Sequence, residues 1–479
     1  MGENQKNNAL VPSDLNEKAP LNDSRNITYP TYTLFCVFTA CIVRFSSGYN
    51  TSSANITASA IHNCADIDKK LNGILPYCFS MDSWLWGFAV GSHAFGGMFG
   101  SLLGGYAQEK LGRRLAMLLN NFFFVLGGIL LVCSINSGMW ICGRGLIGFG
   151  CGFGTVVAPT YIGEISPIKT RGTFGAFNQF CTTMGILIVE AMSLGMSTPV
   201  GWRILVCLPG VFSLIQVVLM PFCSETPRYL VSKGRQEEAK SVLLKLRSNH
   251  NVEVEYQQIV KAREVANELP RSLGIREILR DPYCRKNFAI CLGLGILQQW
   301  SGINGVMYYS TSIFTTIYGD TAKYITLCVG AVNVVVTIVS VVLIDRAGRK
   351  LLLLISSGGA GIFCILMCVG LEVHNSGLTV AAIMIFVVFF AIGLGPIPAL
   401  IISEMMPTNA VSLTSSLALT LNWISSFVIG LIFPTLSKAM HGYVFLIFAS
   451  CCAIGFVCTL FFIKETKGKS IEELTIRKQ

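Results

Sequence analysis

Residues 105–118 read GYAQEKLGRRLAML, and residues 341–354 read VVLIDRAGRKLLLL. Each copy places a tight basic cluster between two apolar runs, and the second begins at Val341 against Gly105 for the first, an offset of 236 in a chain of 479 residues. Two more pairs follow in the same order: EISP from Glu164 returns as EMMP from Glu404, and SETPRYL around Glu225 returns as KETKGKS around Glu465, each 240 residues on. Three ordered matches at nearly half the chain length argue for a duplication, and parallel halves of this kind build transporters with a site between them at the membrane midplane.

The composition agrees. The chain is 52% hydrophobic and only 13% charged, with 47 glycines and a mean hydropathy of +0.60, which leaves too few charges to cover a water-facing surface and marks an integral membrane protein. Windows of about 20 residues give apolar runs at 32–54, 83–107, 115–135, 139–161, 174–196 and 203–222, then at 288–316, 322–344, 350–371, 378–402, 411–435 and 442–463. The expected architecture is an all-α membrane protein of twelve transmembrane helices in two six-helix pseudo-repeats. Residues 1–30 are a polar tail, 31–222 the first half, 223–287 a linker, 288–464 the second half and 465–479 a second tail. The first 30 residues lack an apolar core and read as a disordered tail rather than a cleaved leader. Within the linker, RQEEAKSVLLKLR reads as a short amphipathic helix through Val242, Leu243, Leu244 and Leu246.

A net charge of +10 raises the question of nucleic acid, but the cations sit in short clusters between apolar runs and are explained by topology. Lys110, Arg113, Arg114, Lys169, Arg171, Arg346, Arg349, Lys350 and Lys464 fall in alternate connections on the side of the linker, so both termini are expected in the cytosol, with the plasma membrane as the expected location. GRGLIG at 143–148 fits GxGxxG but lies inside an apolar run with no preceding strand, where helix packing is the simpler reading. GKS at 468–470 has no first P-loop glycine, since Ile463 stands there; no ATP coupling, metal, cofactor or covalent chemistry is expected, and the protein is not read as an enzyme. The 18 cysteines lie mostly in apolar runs, where a free thiol is a small hydrophobe. Cys64 and Cys78 lie in a polar stretch and are either a disulfide or two free loop thiols. The NIT sequon at Asn55 falls too near the expected end of the first helix to be a good glycan acceptor.

GRGLIGFGCG, APTYIGEISPIKTRG, SETPRYL, QQWSGINGVMYYSTSIF, DRAGRK, GLGPIPA and ETKGKS resemble the sugar-porter family of the major facilitator superfamily, in particular its facilitative hexose transporters, over about residues 40–472. The residues agree with the resemblance in their chemistry. Gln298, Gln299 and Asn304 on the seventh helix flank Ser301 and Gly302, Gln179 lies on the fifth, Asn333 on the eighth, and Asn422 with Trp423 on the eleventh. Carboxamides offer donors and an acceptor to sugar hydroxyls and stay neutral, so no charge is desolvated on binding. Each alone could be an interhelical hydrogen bond; spread over both halves they point to a sugar site. The resemblance implies sugar contacts for Gln179, Gln298, Gln299, Asn304 and Asn333. It puts Ala391 and Ala399 where glucose carriers of the family show a glutamate and a tryptophan, which favours fructose over glucose. Tyr308 and Tyr309 are expected at a gate, as are Pro396 and Pro398, which remove helix donors and break the tenth helix.

The charged motifs read as a cytosolic latch: Arg113, Arg114, Arg171, Arg228, Arg349 and Lys350 against Glu164, Glu225, Asp345, Glu404 and Glu465, pairing to close the inner side. Glu164 is followed seven residues on by Arg171, whereas Glu404 is followed by Val411. Proton-coupled relatives carry an aspartate after GY on the first helix, near an arginine of the fourth. Here that position is Asn50, and the arginine is Arg144. An amide does not titrate, so downhill uniport of a hexose is expected. The alternatives are a proton-coupled symporter using another membrane acid such as Glu190, and a transport-silent sugar receptor. A pH-gradient assay separates the first from uniport, and the short stretch after the last helix speaks against the second. Oligomeric state is open.

Overall fold

The structure is a computed structural model describing residues 30–62, 70–71, 74–167, 170–196, 198, 200–248, 252–268 and 274–466. The first half comprises α1 (Thr31–Ile61), α2 (Ser83–Leu111), α3 (Arg113–Val132), α4 (Ser137–Ile165), α5 (Arg171–Met196) and α6 (Gly201–Leu219). Four short helices of the linker follow: α7 (Pro227–Ser232), α8 (Gln236–Leu246), α9 (Glu253–Glu268) and α10 (Ile275–Arg280). In the second half α11 (Pro282–Trp300) and α12 (Ile303–Tyr318) together make one crossing. Then come α13 (Ala322–Ala347), α14 (Arg349–Glu372), the paired α15 (Ser376–Ile392) and α16 (Ile397–Met405), α17 (Thr408–Met440) and α18 (Val444–Phe462). The result is the all-α, twelve-crossing fold. By length and composition alone, nine described stretches qualify as spans, one of them joining α17 to α18; α2, rich in glycine and ending in charges, does not, and the break at Gly302 leaves α12 only 16 residues long.

Side-chain caps set several starts: Asp82 accepts from the Leu85 amide at α2, Asn136 from Met139 at α4 and Asn375 from Leu378 at α15. The seventh crossing breaks at Gly302, whose φ of 97° is one that glycine tolerates. The tenth breaks over Gly393–Pro396, where the prolines supply no amide hydrogen. Both breaks fall where the sequence places them.

Within the first half α2 packs on α4, α1 on α5 and α3 on α6; within the second, α14 packs on α15 and α18, and α11 on α17. GRGLIG does serve helix packing: a Cβ on Gly148 would fall 1.9 Å from the His93 carbonyl oxygen of α2, so only glycine permits that approach. The halves meet along α2 with α17, α5 with α13 and α1 with α12. In the linker, α8 buries Ala239, Leu243 and Leu246, and Leu230, Val252 and Tyr256 join its apolar cluster.

Asn55 is not at the end of a helix, as the window suggests, but inside α1 and 1% exposed, because the polar turns beyond residue 54 still find partners within the protein. Cys78 is disulfide-bonded; Cys64 lies outside the described residues, as do Asn26, Lys169, residues 1–29 and residues 467–479.

Candidate functional site

A chain of amides runs through the break in the seventh crossing. Gln298 donates to the carbonyls of Leu394 and Gly395, at 2.9 and 2.6 Å, which the break between α15 and α16 has freed from helical bonding. Its own oxygen accepts from Asn422 of α17 at 2.7 Å, and Asn422 also donates to the Gly295 carbonyl. Gln299 donates to the Asn422 oxygen, while Asn304 donates to the Gln299 oxygen and to the Ser426 hydroxyl, the latter two both at 2.6 Å. Ser426 shares a hydrogen bond with Tyr308, and Tyr309 donates to the Gly430 carbonyl. The break thus presents a connected wall in which each amide has its partner, a preorganised surface rather than a set of free side chains. Two amides on other elements are unengaged: Gln179 is half-buried and Asn333 buried, and neither carboxamide has a hydrogen bond among the described residues. Ala391 is buried and Ala399 exposed, so no side chain projects past the β-carbon at either position. Trp423 lies against Gly97 and edge-on to His93 of α2, at 5.9 Å between ring centres, which places it in the contact between halves at the depth of the amide chain. Ser426 and His93 are polar groups within apolar runs, which is the available signal, and the motif reading passes over them; Asn55 is read only as a sequon.

Asn50 and Arg144 do come together, though not side chain to side chain. Arg144, 1% exposed, donates to the Asn50 carbonyl at 3.0 Å and to the Ser53 hydroxyl at 3.2 Å, while the Asn50 amide turns back to the Ser46 carbonyl. The guanidinium stands over the Trp140 ring at 5.6 Å, and its Nε and second terminal nitrogen have no partner. Among the described residues no carboxylate pairs with it. The buried acid nearby in the sequence of contacts is Glu190, 2% exposed, which accepts from Ser52 at 2.9 Å and leaves its second oxygen without a hydrogen bond.

The charged motifs pair in two sets with corresponding partners at the end of the bundle that carries the basic clusters. Arg113 bonds Glu164 at 2.8 Å, and Arg349 bonds Glu404 at 2.9 Å. Glu225 accepts the backbone amides of Arg113 and Arg114, and Glu465 those of Arg349 and Lys350, so each carboxylate sits at a helix N-terminus, where the amides point at it. Thr226 and Thr466 donate to Glu164 and Glu404. The turn glycines are required on two counts: Gly112 and Gly348 have φ of 91° and 89°, and a Cβ on either would strike the glutamate beneath. Burial pushes the Glu225 carboxyl above its ordinary range, and the amides of Thr226, Arg114 and Arg113 oppose that. Each of these pairs joins helices of one half, so in this conformation they staple each half internally. Arg228 is exposed, Val411 is half-buried beside an apolar cluster holding Ile278 and Met406, and the side chains of Arg171 and Asp345 lie outside the described residues.

Bridging contacts lie at the opposite end. Asn55 donates to Ser310 at 2.9 Å and accepts the Thr311 amide at 3.1 Å, tying α1 to α12, and Glu190 of α5 presses on Gly330 of α13 so closely that a Cβ there would lie 1.9 Å from its free oxygen.

A family described as "Sugar (and other) transporter" matches residues 33–477. The chain belongs to that family. It is 36% identical over 457 residues to the facilitated glucose transporter member 3 of Oryctolagus cuniculus, covering 93% of this chain and 92% of that protein, and 34% identical over 483 residues to member 2 of Rattus norvegicus, covering 92% of each. A partially occluded inward-open structure of the xylose transporter of E. coli superposes with a TM-score of 0.77 at 23% identity, covering 92% of this chain and all of that one. The protein is therefore an integral membrane sugar transporter of the major facilitator fold.

Proposed function

We propose that this sugar transporter is a facilitative hexose carrier of the plasma membrane, with both termini in the cytosol, working by alternating access of its two halves around one sugar held by Gln179, Gln298, Gln299, Asn304 and Asn333. The supporting observation is Arg144, which faces the neutral Asn50 and its backbone carbonyl where a coupling carboxylate would otherwise stand. With no proton to exchange at that contact, the cycle runs down the sugar gradient. The amide wall supports a polyhydroxylated, uncharged substrate, since every donor and acceptor on it is neutral. Cross-half contacts at the end away from the basic clusters support an inward-facing state.

Fructose is put ahead of glucose because Ala391 and Ala399 leave the second-half wall without a carboxylate or an indole. Competition against labelled hexose in proteoliposomes tests this: fructose is expected to inhibit better than glucose, and a carrier that ignores fructose while moving glucose would refute the preference. Proton symport is retained as the second reading for one reason, the buried Glu190 carboxyl with its single hydroxyl donor. A solved relative of the same fold is a proton:xylose symporter.

A further inference from the structure

Above the seal formed by Asn55, Ser310 and Thr311 lies a cavity of about 1270 Å³. Its walls come from both halves, at the ends of α1, α12, α14 and α17 and the starts of α2, α13, α15 and α18, so it opens on the side away from the basic motifs. Its floor includes Asn55, Tyr309 and Phe433, and Tyr309 and Phe433 stack at 5.1 Å. The lining charges are lopsided. Among the described lining residues Lys323 and Lys438 stand against one acid, Glu372, with His62, His374 and His441 beside them, and one oxygen of that acid is already occupied by the Gly442 amide at 2.9 Å. Aromatic surface is at hand in Trp86, whose indole stacks on His62 with the planes 8° apart, and Phe445 adds a second apolar wall. His374 and His441 both turn the chain at a helix C-terminus with positive φ, 53° and 50°.

We propose that this outer vestibule is a second ligand site, distinct from the central amides, that takes glycosides carrying an anionic group. The lysines recognise the anion, the aromatic rings the aglycone or the sugar face, and Ser83, Ser312 and Ser437 on the rim the remaining hydroxyls. The volume is several times that of one hexose ring and suits a glycoside. The site exists in the state in which the central amides face the other way.

The test is calorimetry on the purified full-length protein with 4-nitrophenyl β-glucuronide and 4-nitrophenyl β-glucoside, which differ only in the carboxylate. The glucuronide is expected to bind about five- to tenfold more tightly, since partly exposed ion pairs contribute modestly, and the advantage should shrink as salt is raised. The double variant Lys323→Gln, Lys438→Gln should erase the advantage, and Asn304→Ala should leave it intact. Equal binding of the two glycosides, or no binding of the glucuronide, would overturn the proposal. So would an advantage that survives the lysine changes or disappears with Asn304→Ala.

Discussion

At the scale of single residues, the amide chain makes the sharpest demands. Asn304 donates to both Gln299 and Ser426, so Asn304→Ala removes a candidate sugar contact and also releases the two groups that orient its neighbours. Hexose affinity is expected to fall by about 1–3 kcal/mol, the cost of leaving a polar partner unpaired; calorimetry on monodisperse variant protein checks this, and unchanged affinity for every hexose would dismiss the assignment. Ala399→Trp restores a large ring on the exposed side of α16 and is expected to move preference from fructose toward glucose or to block transport, by an amount of about 1–3 kcal/mol in the discrimination. The sequence gives these residues away because an amide inside an apolar run needs a reason. It does not give away Asn55, whose NIT context suggests a sequon, because its bonds to Ser310 and Thr311 join residues more than half the chain apart. Nor does it say that Arg144 meets the backbone of Asn50 rather than its side chain.

At the scale of elements, breaks and staples divide the work. Gly302, Pro396 and Pro398 announce the broken crossings, since their backbone chemistry is local and readable one residue at a time. The staples are legible as residues but not as pairs. Charges at helix ends can be matched within a half or across halves with equal ease on paper, and only the folded arrangement shows Arg113 with Glu164 and Arg349 with Glu404. Glu225 and Glu465 each bind two amides at a helix N-terminus, so Glu225→Ala and Glu465→Ala are each expected to cost about 1–3 kcal/mol of stability through unsatisfied amides, seen as a lowered melting temperature in detergent. The seam of α5 and α13 yields a different prediction. A methyl group on Gly330 would collide with the Glu190 carboxyl, and overpacking of this kind costs about 1–3 kcal/mol. Gly330→Ala should therefore disfavour the sealed state and expose engineered cysteines beneath the seal of Asn55, Ser310 and Thr311 to impermeant thiol reagents added from the vestibule side, whereas adding Glu190→Ser should restore protection. Equal labelling in all three proteins would show that the contact does not hold the seam.

At the scale of the molecule, duplication explains why so much could be read in advance. Two copies of one charged motif at nearly constant spacing fix the number of halves, and the hydropathy of a bilayer-spanning chain fixes helices because no other open structure satisfies its backbone in lipid. Conformation is another matter: nothing in the sequence states which end is sealed, since the inward- and outward-facing arrangements use the same residues. The central claim is that transport is downhill because the position that would couple protons holds Asn50. The direct measurement is uptake of labelled fructose and glucose into proteoliposomes, with an imposed pH gradient and without one. Uptake is predicted to level off when internal and external sugar are equal and to be indifferent to a protonophore. Accumulation above the external concentration that a protonophore abolishes would contradict the claim and move the coupling to Glu190.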